Sequence, residues 1–406
     1  MEREAIRVLQ ILSDTSDSVA NLNALRFHQM ATGHGYQVRT LALGPGPGAQ
    51  VTRTVPAMAP SPRSISATTQ LRRELKWADV MVAVDYVPRG IGTSGFFGTR
   101  LITSKLGRPS TQSTESTRDR GQVPVVIRAT PGNEARVAES MAKLPSGRID
   151  VVMVHDPRSA DTMKSLIDTT IPVVIVGVAH APSLQVGSTQ GSEADKRLGA
   201  SRRAARTGIG VSNNDLVVVS LELDTGNLLD SSAHQRAVNE ANEHLDSIEV
   251  ATTSTAADRP RLRYLAPSKA DTDIGADSEV LMHAADLVIV TNPFGVATAA
   301  LVDMMALRAV PVFVDTNPAM LTELPQPGPD STIDTSYQLF EPDQTILGPA
   351  DTESELVDLL IAMADDSAQL EALKSEVSAR CRRLCDPEEV ARQWSKCLNQ
   401  ALPSLT

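Results

Sequence analysis

Two consecutive α/β domains, each built on a doubly wound parallel sheet, are the fold this sequence predicts. Three observations predict it. The chain has 406 residues, well past the size at which one hydrophobic core stops growing. Short apolar runs alternate with helical patterns, as strands covered on both faces require. The alternation breaks at a polar stretch without periodicity and then starts again.

In the first half the strand candidates are Ile6–Leu12, Gln37–Leu43, Asp79–Val84, Val123–Arg128, Asp150–Val154 and Pro172–Val176. Between the first two, Val19–Thr32 carries Leu22, Leu25 and Met30 at helical spacing and stops at Gly33-His34-Gly35. Ser159–Asp168 is a second helix. Gly44–Arg63, rich in Gly and Pro, and Ser110–Arg120, rich in Ser and Thr, read as loops. Ser183–Ala200 reads as the domain linker. Beyond it come strands at Asp215–Leu221, Arg261–Leu265, Asp286–Val290 and Val310–Val314, with helical patterns at His234–His244 and Thr298–Leu307. From Glu353 the pattern is helical nearly to the end, and Leu356, Leu359, Leu360 and Met363 form one apolar stripe. The expected organisation is an N-terminal domain over residues 1–182, a linker over 183–200 and a C-terminal domain over 201–385. A final helix over 386–406 packs back toward the N-terminal domain, and the domains meet at a cleft near the linker.

Composition narrows the function classes. With 41% hydrophobic and 21% charged residues the chain is of ordinary globular make-up, and no apolar run reaches the roughly 18 residues a membrane span needs. The charged start Met1-Glu2-Arg3-Glu4 lacks a signal-peptide pattern, so a cytoplasmic location is expected. Cys381, Cys385 and Cys397 have no histidine nearby to complete a zinc set; they read as small apolar packers, and no metal is expected. The net charge of −11 is divided unevenly: residues 1–150 hold 19 Lys+Arg against 12 Asp+Glu, while the rest hold 19 against 37. The basic half therefore suits an anionic surface or substrate. No nucleic-acid partner is expected. None of G-x-S-x-G, H-E-x-x-H and G-x-x-x-x-G-K-[ST] is present, so hydrolase, zincin and P-loop readings lack support.

Local segments say more than the fold. Ala285-Asp286-Leu287-Val288-Ile289-Val290-Thr291-Asn292, a Gly turn, the helix Thr298–Leu307 and Ala309-Val310-Pro311-Val312 follow one another. This frame resembles the nucleotide-sugar half-site of glycosyltransferase family 4. Arg202 to Ser220 looks like the run that opens that family's second domain, and Ile149–Leu166 like its D-x-[VI]-[IV]-x-V-S strand and helix. Pro172 to Ala179, with Gly177 and Val178, is similar to its V-I-P-N-G-V-D turn, and Gly33-His34-Gly35-Tyr36-Gln37-Val38 to its G-H-x-V turn. The order and spacing of these pieces over Ile6 to Leu398 imply a GT-B scaffold, in which two Rossmann-like domains face a cleft.

The resemblance implies a metal-independent, retaining transferase. Such an enzyme neutralises a leaving diphosphate with Arg, Lys and helix N-termini, and grips the ribose hydroxyls with a carboxylate. The implied donor residues depart from the pattern. Glu222 stands where the family has Arg, and Asn227 where it has Lys. A carboxylate about 4 Å from diphosphate reverses a favourable interaction of roughly 4 kcal/mol at an effective dielectric near 20. Gly295 takes the place of the first Glu of the E-x7-E signature and Asp303 that of the second, on the helix that Thr298 opens. Asp303 is a ribose ligand or a solvated or helix-capping carboxylate.

On the N-terminal side, the loop Ser13-Asp14-Thr15-Ser16-Asp17-Ser18 lacks the family's Gly-Gly pair. Thr130 stands where a histidine often ends the fourth strand. Arg128 is a cleft cation or is paired to a neighbouring acid; His155 is a polar cleft residue or a hydrogen-bonded strand-end histidine. Arg158 is a further cation available to a donor.

Two readings follow from the resemblance. One is an active transferase moving a sugar from a nucleotide-sugar donor, with no cofactor, to a glycan or lipid-linked acceptor. The other is a non-catalytic GT-B protein that binds or stabilises a partner glycosyltransferase, or associates with itself. Another enzyme on a related scaffold, such as an epimerase, is a third. In the basic half, Arg89 to Arg108 holds Arg89, Arg100, Lys105 and Arg108, no acid, and Phe96-Phe97. It is a candidate peripheral contact with an anionic membrane at its inner face.

Overall fold

The computed structural model describes residues 5–16, 19–31, 34–46, 55, 65–85, 123–130, 132–144, 149–155, 157–181, 192–221, 231–251, 260–265, 280–290, 299–314, 350 and 352–402. These divide into two compact units: one from 5–179 and 387–402, the other from 180–290, 299–314 and 350–386.

The first unit is a six-stranded parallel sheet of β1 (Ile6–Leu12), β2 (Tyr36–Ala42), β3 (Val80–Val84), β4 (Val125–Arg128), β5 (Val151–Val154) and β6 (Val173–Ile175), in the order β2-β1-β3-β4-β5-β6. Ile6 pairs with Tyr36 and Val8 with Val80. Helices cover both faces, and the period of two along each strand decides which residue meets which layer. Leu9, Ile11, Met81, Ile127, Val152 and Val154 pack with Leu71 and Leu75 of α2 (Ile65–Trp77), Val137 and Met141 of α3 (Glu134–Ala142) and Met163 of α4 (Pro157–Leu166). The alternate residues Val8, Val80, Val82, Val126, Val151 and Met153 pack with Phe27 and Met30 of α1 (Val19–Ala31).

That second layer is completed from the far end of the chain. In α10 (Pro387–Ala401), Val390, Trp394, Cys397, Leu398 and Ala401 are buried in it. The Trp394 ring stacks on Phe27 with centroids 3.6 Å apart. Gln393 accepts the Gly177 N–H at 2.8 Å, and the Tyr36 and Ser395 hydroxyls are hydrogen-bonded.

The second unit has a four-stranded parallel sheet, β7 (Leu216–Leu221), β8 (Leu262–Leu265), β9 (Leu287–Val290) and β10 (Val310–Phe313), in the order β10-β9-β7-β8. Its helices are α5 (Ser192–Gly208), α6 (Ser231–Ala251), α7 (Ala299–Ala306), α8 (Glu353–Asp365) and α9 (Ser367–Leu384). Helix α8 starts with a capping box in which Thr352 accepts the Glu355 N–H and Glu355 accepts the Thr352 N–H. That exchange satisfies two otherwise orphaned donors. Leu356, Leu360 and Met363 of the expected stripe are buried, and Leu359 is half-buried. Cys381 and Cys385 at the end of α9 are buried thiols, as is Cys397; burial pushes the Cys397 thiol up to about 12.

Helix α5 occupies the second half of the stretch read as a linker, 183–200; residues 182–191 lie outside the described ones. Its buried side is held by charge. Asp286, just before β9, accepts Lys374 Nζ at 2.6 Å, the Val217 N–H at 2.8 Å, and the guanidinium groups of Arg202 and Arg206. Arg206 also donates to the carbonyls of Asn213, Asp215 and Ala284. This network sits at the amino edge of the sheet, whereas ligands of open α/β sheets bind outside the carboxyl edge.

Candidate functional site

In the first sheet the chain direction of strand order reverses between β1 and β3, so the crevice rule points to the carboxyl ends of these strands and their neighbours. A buried polar cluster is built there. Asp85 follows β3 with φ 48°, a conformation short polar side chains tolerate. It accepts the Thr130 N–H at 2.6 Å, the Thr130 hydroxyl, and Asn133 Nδ2 at 3.0 Å. Burial raises the Asp85 pKa against those three bonds, which act to lower it, as does the Arg128 charge.

Arg128 closes β4 and is 2% exposed. Its Nε–H donates to His155 Nε2 at 2.9 Å, and the buried Nη1 has no hydrogen-bond partner among the described residues. Burial lowers its pKa to about 10, leaving it charged at neutral pH. Of the two readings of Arg128, a cleft cation or one paired to a neighbouring acid, the hydrogen bond it makes fits neither directly, since its partner is a histidine. His155, which follows β5, lies 2.9 Å from the Val176 carbonyl through Nδ1. Because Arg128 can only donate, Nε2 must accept and the proton must sit on Nδ1. Burial, then the neighbouring guanidinium charge, hold its pKa well below the ordinary 6.5. The strand ends thus bring Arg128, Thr130 and His155 together with Asp85 and Asn133. Arg158 lies on α4, its side chain outside what is described.

The loop after β1 is closed on itself. Asp14 accepts the Ser16 N–H at 2.8 Å, Thr15 Oγ1 accepts the Gly46 N–H at 2.7 Å, and Asn21 donates to the Ser16 carbonyl. A Cβ at Gly46 would fall 2.4 Å from the Ser16 nitrogen, so only glycine permits this approach. One backbone donor of this loop, the Ser16 N–H, is thus taken by a side-chain oxygen.

In the second sheet the order reverses between β7 and β9. Glu222 and Asn227 come after β7, and Gly295 and Thr298 after β9; all four lie outside the described residues. Asp303 is on α7 but is neither solvated nor capping that helix. It is 3% exposed, and its Oδ1 accepts the Ala181 N–H at 2.7 Å. One further pair stands at this carboxyl edge: Ser220 Oγ of β7 and His234 Nδ1 in the first turn of α6, 3.0 Å apart and both fully buried.

Sequence reasoning missed Asp85, Asn133, Ser220 and His234. Asp85 had a usable signal, an acid directly at the end of a wholly apolar strand; His234 looked like any other position on an amphipathic helix.

No family model and no curated protein sequence matches the chain. Solved structures do. HepE from Anabaena, in complex with UDP-glucose, superposes with a TM-score of 0.59 at 11% identity, over 97% of this chain and 99% of that one. A glycosyltransferase from Rickettsia africae gives 0.55 at 8%, over 98% and 99%. Sucrose-phosphate synthase from Thermosynechococcus elongatus gives 0.52 at 9%, over 98% and 100%. With six and four parallel strands in its two domains, the chain has the GT-B glycosyltransferase fold.

Proposed function

We propose that this protein is a glycosyltransferase of the family 4 type, which takes a nucleotide sugar on its second domain and a glycan or lipid-linked acceptor on its first. The observation that carries the reading is the match in fold over nearly the whole of both chains to HepE holding UDP-glucose. The family-like segments beside β7 and β9 support it. Transfer would need no metal or cofactor: the donor's diphosphate would be met by N–H groups and cations, and retention of configuration follows the family. Within the first domain, Arg128 supplies positive potential and neutral His155 holds it in place, while Asp85 orders Thr130 and Asn133. None of these is assigned a bond-making step.

The deciding experiment supplies UDP- and GDP-sugars and follows release of nucleoside diphosphate together with calorimetric binding. Turnover or saturable donor binding supports the reading; neither at millimolar donor overturns it. The competing reading, a non-catalytic GT-B protein that supports a partner glycosyltransferase or pairs with itself, is favoured by one observation. The Asp303 carboxylate, one of whose readings is a ribose ligand, is buried and bonded to Ala181. Co-purification with a transferase whose activity it restores would establish that reading.

Among the described residues no helix is long and apolar enough to cross a membrane. We further propose that the protein works in the cytoplasm, touching the inner face of an anionic membrane through residues 89–108, which lie outside the described residues. Flotation with anionic liposomes at low salt tests this, with loss of binding expected in Arg100→Glu/Lys105→Glu.

A further inference from the structure

The structure assigns to Arg128 the role of an oxyanion receptor: the acceptor handled by the first domain carries a phosphate or carboxylate that Arg128 binds. This rests on the transferase reading for the word acceptor; the anion site itself does not.

A guanidinium is never neutral at physiological pH, and placing one out of water without a counter-charge is costly. Arg128 comes close to that state, because the one opposing charge that acts on it among the described residues is the Asp85 carboxylate. Arg128 is 2% exposed, and among the described residues it makes no ion pair. His155 accepts its Nε–H and is itself neutral. The Asp85 carboxylate is committed to Thr130 and Asn133. Among the described residues Nη1 has no hydrogen-bond partner. A buried donor in this condition calls for a partner that the described residues do not supply, a water or a bound anion being the simplest.

The second observation is independent. Asn133 precedes α3 in the position that normally caps a helix, yet its side chain makes no capping bond. It turns to Asp85 and Thr130 instead. The amino end of α3 therefore keeps N–H groups that an Asn cap would have taken up, while the Glu134 carboxylate in its first turn, which accepts the Ser159 hydroxyl, offsets part of the positive potential. Asp85, contacted by Asn133 and electrostatically coupled to Arg128, places the two features at one strand end. Guanidinium and helix N–H donors favour phosphate or carboxylate oxygens over a neutral hydroxyl, because the bonds they make to an anion are charge-assisted. Position agrees: the cluster stands at the carboxyl edge of a parallel sheet.

The test uses the full-length protein with isotope-labelled arginine and follows the Arg128 side-chain resonances, identified by their loss in Arg128→Gln. It is titrated at constant ionic strength with inorganic phosphate, glycerol 3-phosphate and glycerol. Both phosphates are expected to shift the signals saturably, glycerol to leave them unmoved, and Arg128→Gln to weaken calorimetric binding of glycerol 3-phosphate by about tenfold or more. Saturation by inorganic phosphate but not by the ester would make this a free-anion site and overturn the acceptor assignment. No shift with either phosphate, or unchanged affinity in Arg128→Gln, would overturn the site. Should Arg128→Gln not fold, Arg128→Lys, which keeps a cation without the fork, serves for the affinity comparison, and the wild-type titration decides by itself. UDP and GDP titrated into the same sample separate the two ideas. A phosphate site without nucleotide binding counts against the transferase reading alone, and nucleotide binding without a phosphate site counts against this inference alone.

Discussion

Arg128 Nε donates to His155 Nε2 across 2.9 Å, so His155 is locked as the neutral tautomer with its proton on Nδ1, toward the Val176 carbonyl. The bond has a consequence for acid stability. Its folded pKa lies well below 6.5, so as pH falls below 6.5 the unfolded chain takes up a proton that the folded one refuses. Stability present above that pH is then lost, by up to about 1.4 kcal/mol per pH unit, until the folded pKa is reached. His28, also lowered by burial, acts in the same direction. Asp85 acts oppositely: its raised pKa contributes stability below the ordinary carboxylate value that is lost as pH rises through the folded value. Urea unfolding between about pH 7 and pH 5.5 should therefore show a drop that is smaller in His155→Gln. An equal drop in both proteins would mean that His155 is not neutral in the fold.

Asp286 is the single carboxylate shared by Lys374, Arg202 and Arg206. Removing it leaves the nearly buried Arg206 without its counter-charge and Lys374 with only the exposed Glu371, so Asp286→Asn is expected to cost about 3–5 kcal/mol, far more than loss of a surface pair. Denaturant melts of the variant measure this. Arg236→Ala, which breaks the exposed pair with Glu353, is the comparison and should cost about 1 kcal/mol or less.

How much of this could be read beforehand differs by layer. Strand β1 was read at its observed ends, and the other strands within one or two residues, because runs such as Val80–Val84 are buried on both faces and carry no polar interruption. Helix α5 was not legible over 192–200, since what it buries in the described part includes Arg206, anchored by Asp286, and not an apolar stripe. The site was half legible. Arg128, Thr130 and His155 were visible as polar residues at strand ends, but that Arg128 meets His155 and not an acid depends on which strands neighbour in space. Asn133 forgoing its cap is invisible without the fold.

Trp394 stands where the last helix joins the first domain, its ring stacked on Phe27 and only 2% exposed. Truncation removes a large buried surface and leaves a cavity beside Phe27, within the hydrophobic cluster to which Val80, Met30 and Leu398 also belong. Trp394→Ala is expected to lose about 3–5 kcal/mol, read from thermal or urea unfolding. A change below about 1 kcal/mol would mean that α10 contributes little to holding the first domain together.

Asp303 separates a structural role from a donor-binding one. Its Oδ1 holds the Ala181 N–H at 2.7 Å while the side chain is 3% exposed, so Asp303→Ala strands a backbone donor and should cost about 1–3 kcal/mol. Asp303→Asn keeps an oxygen in that position and should cost about 1 kcal/mol or less. Donor binding gives the second readout. With Glu222, Asn227 and Gly295 where the family has charged residues, UDP or GDP is expected to bind at best near millimolar, and Glu222→Arg to strengthen that binding by turning repulsion into attraction. If Asp303 also reaches the ribose, Asp303→Asn weakens nucleotide binding well beyond its small effect on stability. Equal calorimetric affinity in wild type and Asp303→Asn, with stability lost in Asp303→Ala, would confine this carboxylate to holding Ala181. Micromolar affinity in the wild type would show instead that cations other than the family pair meet the diphosphate.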